Sequence, residues 1–161
     1  IVPCPIYAIT GSKGKSTTVS AVYNIFKKRS NNSFLGGNIT ISPLSFYEKL
    51  TEDSLVILEL SSWQLRDLKS KKFRFKGAAI TNLMKDHQNY YKSMDDYLSD
   101  KLIITDNQKD NDYFLIPKND PYIKIEKIKT EARVFTFDYK DKGSNIFFDK
   151  VTVCKIKKSR T

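Results

Sequence analysis

Between Ile6 and Thr17 the chain runs from a short apolar segment through two glycines into the start of a helical pattern, and nothing else in the sequence restricts the fold as tightly. Ile6-Tyr-Ala-Ile-Thr10 reads as a buried strand, ended by Gly11 and Gly14. Over residues 16–28, Val19, Val22, Tyr23 and Phe26 recur three or four positions apart, which predicts a helix with one apolar face. Lys27, Lys28 and Arg29 suit the negative end of that helix's dipole. A strand that feeds a packed helix through a tight turn is the opening unit of an α/β sheet with parallel strands.

The same stretch carries chemistry. In Ala8-Ile-Thr-Gly11-Ser-Lys-Gly14-Lys15-Ser16-Thr17 the glycines let main-chain N–H groups approach oxygens, and a helix N-terminus favours negative charge. Lys15 can reach outer phosphates and Ser16 can ligate a hard cation such as Mg²⁺. The spacing departs from G-x-x-x-x-G-K-[ST], which would need glycine where Ile9 stands; the form here is G-x-x-G-K-S-T. Strand before and amphipathic helix after make phosphate binding the reading of this loop.

Further along, Leu55-Val-Ile-Leu-Glu-Leu60 and Gly77-Ala-Ala-Ile-Thr81 repeat the buried-strand pattern, and Ser33-Phe-Leu35 is a short strand running into Gly36-Gly37-Asn38. Residues 43–50 predict a short helix and residues 93–105 a longer one, with Ser93 as N-cap and Asp95 and Asp96 in its first turn. Residues 113–116, 132–137, 146–148 and 151–156 read as strands with few helices between them. The predicted fold is α/β: a P-loop-type, mostly parallel sheet flanked by helices, with a small antiparallel β extension in the C-terminal third.

Composition removes several alternatives. A chain of 161 residues with 40% hydrophobic content fits one domain with a real core and is too apolar for a disordered tail. No apolar run approaches the roughly 20 residues of a membrane span. Cys4 and Cys154 are too far apart in sequence for zinc spacing or a disulfide framework, so a reducing, cytoplasmic setting is expected. The opening Ile-Val-Pro-Cys-Pro has no Met, basic n-region or apolar h-region; no signal peptide is read, and a piece of a longer protein is expected. The net charge of +10 comes mostly from scattered lysines without a nucleic-acid-binding motif, so a solvated basic surface or a polyanionic small substrate is preferred to nucleic acid.

Three further side chains stand out. Glu59 closes an apolar strand at the sheet edge where ligands gather in open α/β folds, and a carboxylate there suits a hard cation; a solvent-facing strand end is the alternative. His87, the single histidine, follows the strand at 77–81 by a short loop and reaches the same edge, unless it is an ordinary surface or core residue. Lys101 falls on the apolar face of its helix after Met94, Tyr97 and Leu98, where a cation must snorkel, be paired or be modified.

Four blocks in order resemble the Mur ligases, in particular the central ATPase domain of their D-glutamate-adding member. These are Ile9-Thr-Gly-Ser-Lys-Gly-Lys-Ser-Thr-Thr18, Gly36-Gly-Asn-Ile39, Leu58-Glu-Leu-Ser-Ser-Trp-Gln-Leu65, and the stretch from Asn82 to Lys101 with Asp86-His87 and Tyr97-Leu-Ser-Asp-Lys101. The resemblance is clear from residue 5 to about residue 105 and only topological beyond. It implies ATP-driven amide formation: the carboxylate of UDP-N-acetylmuramoyl-L-alanine takes the γ-phosphoryl group, and the amine of D-glutamate attacks the acyl phosphate. It implies Lys15, Glu59, His87 and Lys101 as catalytic residues, and Gly11, Ser12, Lys13, Gly14, Lys15, Ser16 and Thr17 as the ATP cradle. Two Mg²⁺ sites would draw on Ser16, Glu59, His87 and Lys101, the last as a carbamylated lysine, and Asn38 and Ser61 would meet the muramoyl substrate.

The resemblance further implies a single central domain over 1–161, without the uridine-nucleotide domain that precedes it in the family or the C-terminal domain that follows. A cytoplasmic monomer that binds no nucleic acid, and is inactive by itself, is the expectation. Two departures stand out: the usual Asp-His-Leu-Asp-Arg-His is here Asp86-His-Gln-Asn-Tyr-Tyr91, and Gly-Asn-Ile-Gly is Gly37-Asn-Ile-Thr40. A folylpolyglutamate synthase-like ligase shares the first block, and a non-catalytic nucleotide- or polyanion-binding domain is the remaining alternative.

Overall fold

The computed structural model describes residues 2–39, 41–86, 89–149 and 152–156. Strand β1 (Ile6–Thr10) leads through the glycine turn into α1 (Lys15–Arg29), and β2 (Ser33–Gly37) and β3 (Leu55–Glu59) follow. Helix α2 (Ser62–Leu68), β4 (Gly77–Ile80), α3 (Met94–Leu102) and β5 (Tyr113–Pro117) come next, then β6 (Arg133–Asp138), β7 (Ile146–Asp149) and β8 (Thr152–Ile156). They form a single sheet in the order β2-β3-β1-β4-β5-β6-β7-β8. Every pairing from β2 to β7 is parallel.

Among the described residues, antiparallel pairing is confined to β7 and β8. The strands at 113–116 and 132–137, which the sequence grouped with an antiparallel extension, instead prolong the parallel sheet. Alternation of apolar residues reports which face a strand buries and is silent on the direction of its neighbour.

Each face of the sheet has its own core. Under α1, Val19 packs with Ile9 and Ile57, flanked by Tyr7, Val22, Tyr23 and Phe26, as the helical spacing predicts. The opposite face buries Ala8, Ile80, Phe114 and Ile116 against Leu65 of α2, Tyr97 of α3 and Ile104 beyond it. Residues 43–50 form two 3₁₀ turns, Pro43–Ser45 and Tyr47–Lys49, in place of the predicted helix. Phe46 at φ −125° breaks the run and buries its ring, stacked 5.1 Å from Phe34.

Helix α2 was not expected from the apolar pattern, because seven residues show too little periodicity. Its signal is polar: Ser61 accepts from Gln64 N while the Gln64 side chain takes the Ser61 N–H, a capping box. Helix α3 does begin at the Ser93 cap, with Asp95 and Asp96 in its first turn, but tightens into a 3₁₀ turn from Ile103 to Thr105.

The strand order creates the site. The chain passes from β1 outward to β2, returns through β3, then crosses to β4 on β1's other flank. The crevice at the C-terminal end of β1, between β3 and β4, is therefore a topological switch point, where open α/β sheets bind ligands.

Candidate active site

Three strand ends meet at that crevice. Ile9 pairs with Glu59 on one side, and Thr10 with Ile80 on the other. Leu60 N–H donates to Ile9 O at 2.9 Å and Thr81 N–H to Thr10 O at 2.9 Å. Past Thr10 the chain turns through Gly11 and Gly14 into α1. Gly14 is the N-cap, at φ +78° and with no side-chain cap, so the left-handed turn calls for glycine. Helix geometry leaves the first N–H groups of α1 without internal acceptors, and α1 has no acidic residue in its first turn. An N-terminus built this way attracts anions.

Two lysines reinforce it. Lys15 Nζ donates to the carbonyls of Gly11 (3.1 Å) and Ser12 (3.0 Å). Lys101 Nζ arrives from α3 and donates to the same Gly11 carbonyl at 3.0 Å. Only 1% of Lys101 is exposed, so the amine is buried rather than snorkelling to water. Tyr97, one helical turn earlier, lays its ring under the amine, 4.2 Å from Nζ to the centroid.

A charged lysine is expensive there. Removing an ammonium from water costs several kcal/mol, whereas a cation–π contact returns about 2 kcal/mol and one hydrogen bond to a charge about 1.5–3 kcal/mol. Desolvation wins: burial first, and the neighbouring Lys15 charge second, lower the Lys101 pKa from 10.5 to about 7, with Asp86 and Asp100 opposing. The site thus buries an amine whose proton is held far less tightly than an ordinary lysine's.

Glu59 is 2% exposed, not a solvent-facing strand end. Asn38 Nδ2 donates to its Oε1 at 3.1 Å, while Oε2 is buried and has no hydrogen-bond partner among the described residues. An orphaned carboxylate oxygen beside a phosphate-binding loop fits a hard cation that also takes phosphate oxygens, which is how Mg²⁺ is usually held. Among the described residues no three His, Cys, Asp or Glu side chains gather into an all-protein metal cage.

Of the other residues singled out, Ser16 and Thr17 are exposed in the first turn of α1. Lys13 is exposed, 3.8 Å from Asp86 across an ion pair, while the Ser12 side chain is buried and bonded to Met84. The Ser61 hydroxyl caps α2. His87 lies outside the described residues. Sequence reasoning missed Thr81, Asn82 and Tyr97, although a Thr-Asn pair just beyond an apolar strand was a legible sign of a sheet edge. Beside Tyr97, a cavity of about 370 Å³ is lined by Asp86, Tyr91, Lys92, Ser93 and Met94.

The Mur ligase middle domain family matches residues 9–159. The chain belongs to the Mur ligases. The match runs well past residue 105, where the recognisable motifs end, so the later strands belong to the same Mur ligase domain. UDP-N-acetylmuramoylalanine--D-glutamate ligase of Borreliella afzelii (strain PKo) is 46% identical over 134 residues, 83% of this chain and 29% of the relative. The protein of the same name from Treponema pallidum (strain Nichols) is 38% identical over 149 residues, covering 84% and 28%. The Mur ligase chain described here thus spans under a third of the length of these curated relatives.

Solved structures agree on the fold. MurF from Acinetobacter baumannii aligns with a TM-score of 0.69 at 17% identity, over 92% of this chain and 33% of that one. MurF from Thermotoga maritima, solved in complex with ADP, gives the same TM-score and identity over 91% and 35%. Among the described residues of this Mur ligase domain, no helix is long and apolar enough to cross a membrane.

Proposed function

We propose that this chain is the ATP-binding central domain of a ligase that joins D-glutamate to UDP-N-acetylmuramoyl-L-alanine in peptidoglycan precursor synthesis. The observation that carries the proposal is the convergence of Lys15 and Lys101 on the Gly11 carbonyl. A bare phosphate-binding fold needs the first lysine and has no use for a second, buried one. The names of the relatives support the choice of substrates, since two that share 46% and 38% identity are D-glutamate ligases.

In this reading Gly11, Ser12, Lys13, Gly14, Lys15, Ser16 and Thr17 hold ATP. The N–H groups at the start of α1 and the Lys15 ammonium meet the β and γ phosphates and offset the charge on the phosphoryl group as it moves. The muramoyl carboxylate attacks the γ-phosphorus and ADP leaves. The D-glutamate amine then attacks the acyl carbon, inorganic phosphate leaves, and the amine loses a proton. Asn38 and Ser61, just past the ends of β2 and β3, would meet the muramoyl substrate.

Ser16 and Glu59 would hold one Mg²⁺, and His87 with Lys101 a second; bound there, the ions would neutralise phosphate charge and align the phosphoryl group. Lys101 is suited to modification: burial favours its neutral amine, which can add CO₂ and release a proton to give a carbamate anion. The flanking domains for the uridine nucleotide and for D-glutamate belong to the rest of the proposed enzyme, which would act as a cytoplasmic monomer.

The test is amide formation by the full-length enzyme with ATP, UDP-N-acetylmuramoyl-L-alanine and D-glutamate. Lys15→Ala should abolish product, and Lys101→Ala should lose activity that bicarbonate cannot restore. Product formed by Lys15→Ala at the wild-type rate, or no product from the wild-type enzyme, overturns the proposal.

A further inference from the structure

We propose that Asn82 is a positioning residue that, with Thr81, aims the phosphate loop, an assignment that rests on the nucleotide-binding reading above. The Asn82 amide grips Lys13 in both directions. Lys13 N–H donates to Asn82 Oδ1 at 3.0 Å, and Asn82 Nδ2 donates to the Lys13 carbonyl at 3.0 Å. A side chain here supplies the pairing that a neighbouring strand would otherwise make. Because one end must accept and the other must donate, the two contacts fix which way the amide faces.

The grip belongs to a longer seam. Thr81 Oγ1 also donates to the Lys13 carbonyl, at 2.7 Å. Ser12 N–H donates to the Asn82 carbonyl at 3.0 Å, and Met84 N–H to Ser12 Oγ at 3.0 Å. From the far side the Asp120 carboxylate takes the N–H groups of Leu83 (2.8 Å) and Tyr122 (3.0 Å), so the segment that holds the loop is itself held.

Peptide geometry turns this grip into a function. In a trans peptide the C=O and the following N–H point in opposite directions across a rigid plane. Two donors, from Thr81 and Asn82, hold the Lys13 carbonyl toward β4's end. The Gly14 N–H is thereby directed the other way, together with the first-turn N–H groups of α1, which have no acceptor within the helix. Gly14, at φ +78°, is a flexible point at which this plane would otherwise rotate freely. A cradle whose dipoles are set in advance need not reorganise when phosphate arrives, so the grip contributes to ATP affinity.

The experiment uses full-length enzyme carrying Asn82→Ala or the equally shaped Asn82→Asp, with Lys15→Ala as the control for the nucleotide site. With both bonds to Lys13 lost, Asn82→Ala should raise the KM for ATP about tenfold while the KM for D-glutamate holds. Asn82→Asp should not restore it, since it sets an acceptor against the Lys13 carbonyl; a side chain that merely filled space would be replaced well by Asp. Should Asn82→Ala fail to fold, Thr81→Val removes a single donor to the same carbonyl, and about a threefold rise is expected. An unchanged KM for ATP in Asn82→Ala, or full recovery in Asn82→Asp, overturns the assignment. If Lys15→Ala binds ATP normally, the nucleotide reading fails; if Lys15→Ala is defective and Asn82→Ala is normal, only the positioning role fails.

Discussion

Asn38 holds Glu59 twice: its main-chain N–H donates to the Glu59 carbonyl at 2.8 Å, and its side-chain Nδ2 donates to Oε1 at 3.1 Å. One carboxylate oxygen is thereby fixed and the other, Oε2, is buried with no partner among the described residues. Side chains that orient a metal ligand typically set its affinity by 10- to 100-fold. In the full-length enzyme, Asn38→Ala should raise the Mg²⁺ concentration for half-maximal activity about tenfold, and Glu59→Ala should lower kcat by about two orders of magnitude. A Mg²⁺ titration of activity reads both. Unaltered Mg²⁺ dependence in both variants would remove Glu59 from the metal site.

Gly37 sets up the same contact from β2. Its φ is +103°, and a Cβ there would collide with the Glu59 carbonyl oxygen. Gly37→Ala combines left-handed strain with a clash against main chain that cannot swing aside. A loss of about 2–3 kcal/mol is expected in urea unfolding, with stronger loss of activity than of fold because Asn38 and Glu59 move apart.

Lys101 makes stability depend on pH. Its folded pKa is lowered to about 7 from 10.5, chiefly by burial and then by the Lys15 charge. Between those values the unfolded chain binds a proton that the folded chain does not, so unfolding free energy rises with pH across that window. Below about 7 both states are protonated and the penalty is fully present. In CO₂-free buffer the wild type should gain stability relative to Lys101→Met from pH 7 to 9, followed by chemical denaturation. A difference that stays flat over that range would place the amine in contact with water.

At the opposite end of the sheet, Asp112 is fully buried and accepts from Arg74 Nε (2.7 Å), Arg74 Nη2 (2.9 Å) and Lys109 N–H (2.7 Å), with Lys76 Nζ at 3.3 Å. The Arg74 hydrogen bonds hold its carboxyl below the usual carboxylate range against the cost of burial. Asp112→Ala would leave the Lys109 main-chain N–H without its acceptor and take one partner from Arg74 and Lys76, which keep their contacts to Asn111, and should cost about 1–3 kcal/mol of stability. ATP affinity should be untouched, since the clamp is far from the switch point; thermal unfolding and nucleotide titration together check both statements.

Much of the site could be read from residue order. The strand, glycine turn and helix from Ile6 onward, and the inward side of Lys101, both follow from local rules: apolar period, backbone freedom at glycine and the helical repeat. The Ser93 cap and the basic end of α1 obey the same logic. The strand-end position suggested a cation ligand at Glu59, whereas the role expected of Asn38 came from the family motif alone.

Other features required the folded chain. That the Lys101 amine reaches the Gly11 carbonyl depends on two segments 90 positions apart meeting, and no local pattern encodes their separation in space. The parallel run from β5 to β7 and the grip of Asn82 on Lys13 are of the same kind. Local propensity settles which dihedrals and faces each segment prefers, because those energies act within a few residues. Which strand lies beside which, and so which buried polar atoms find partners, is settled by the packing of the whole sheet, where desolvation penalises every misplaced charge.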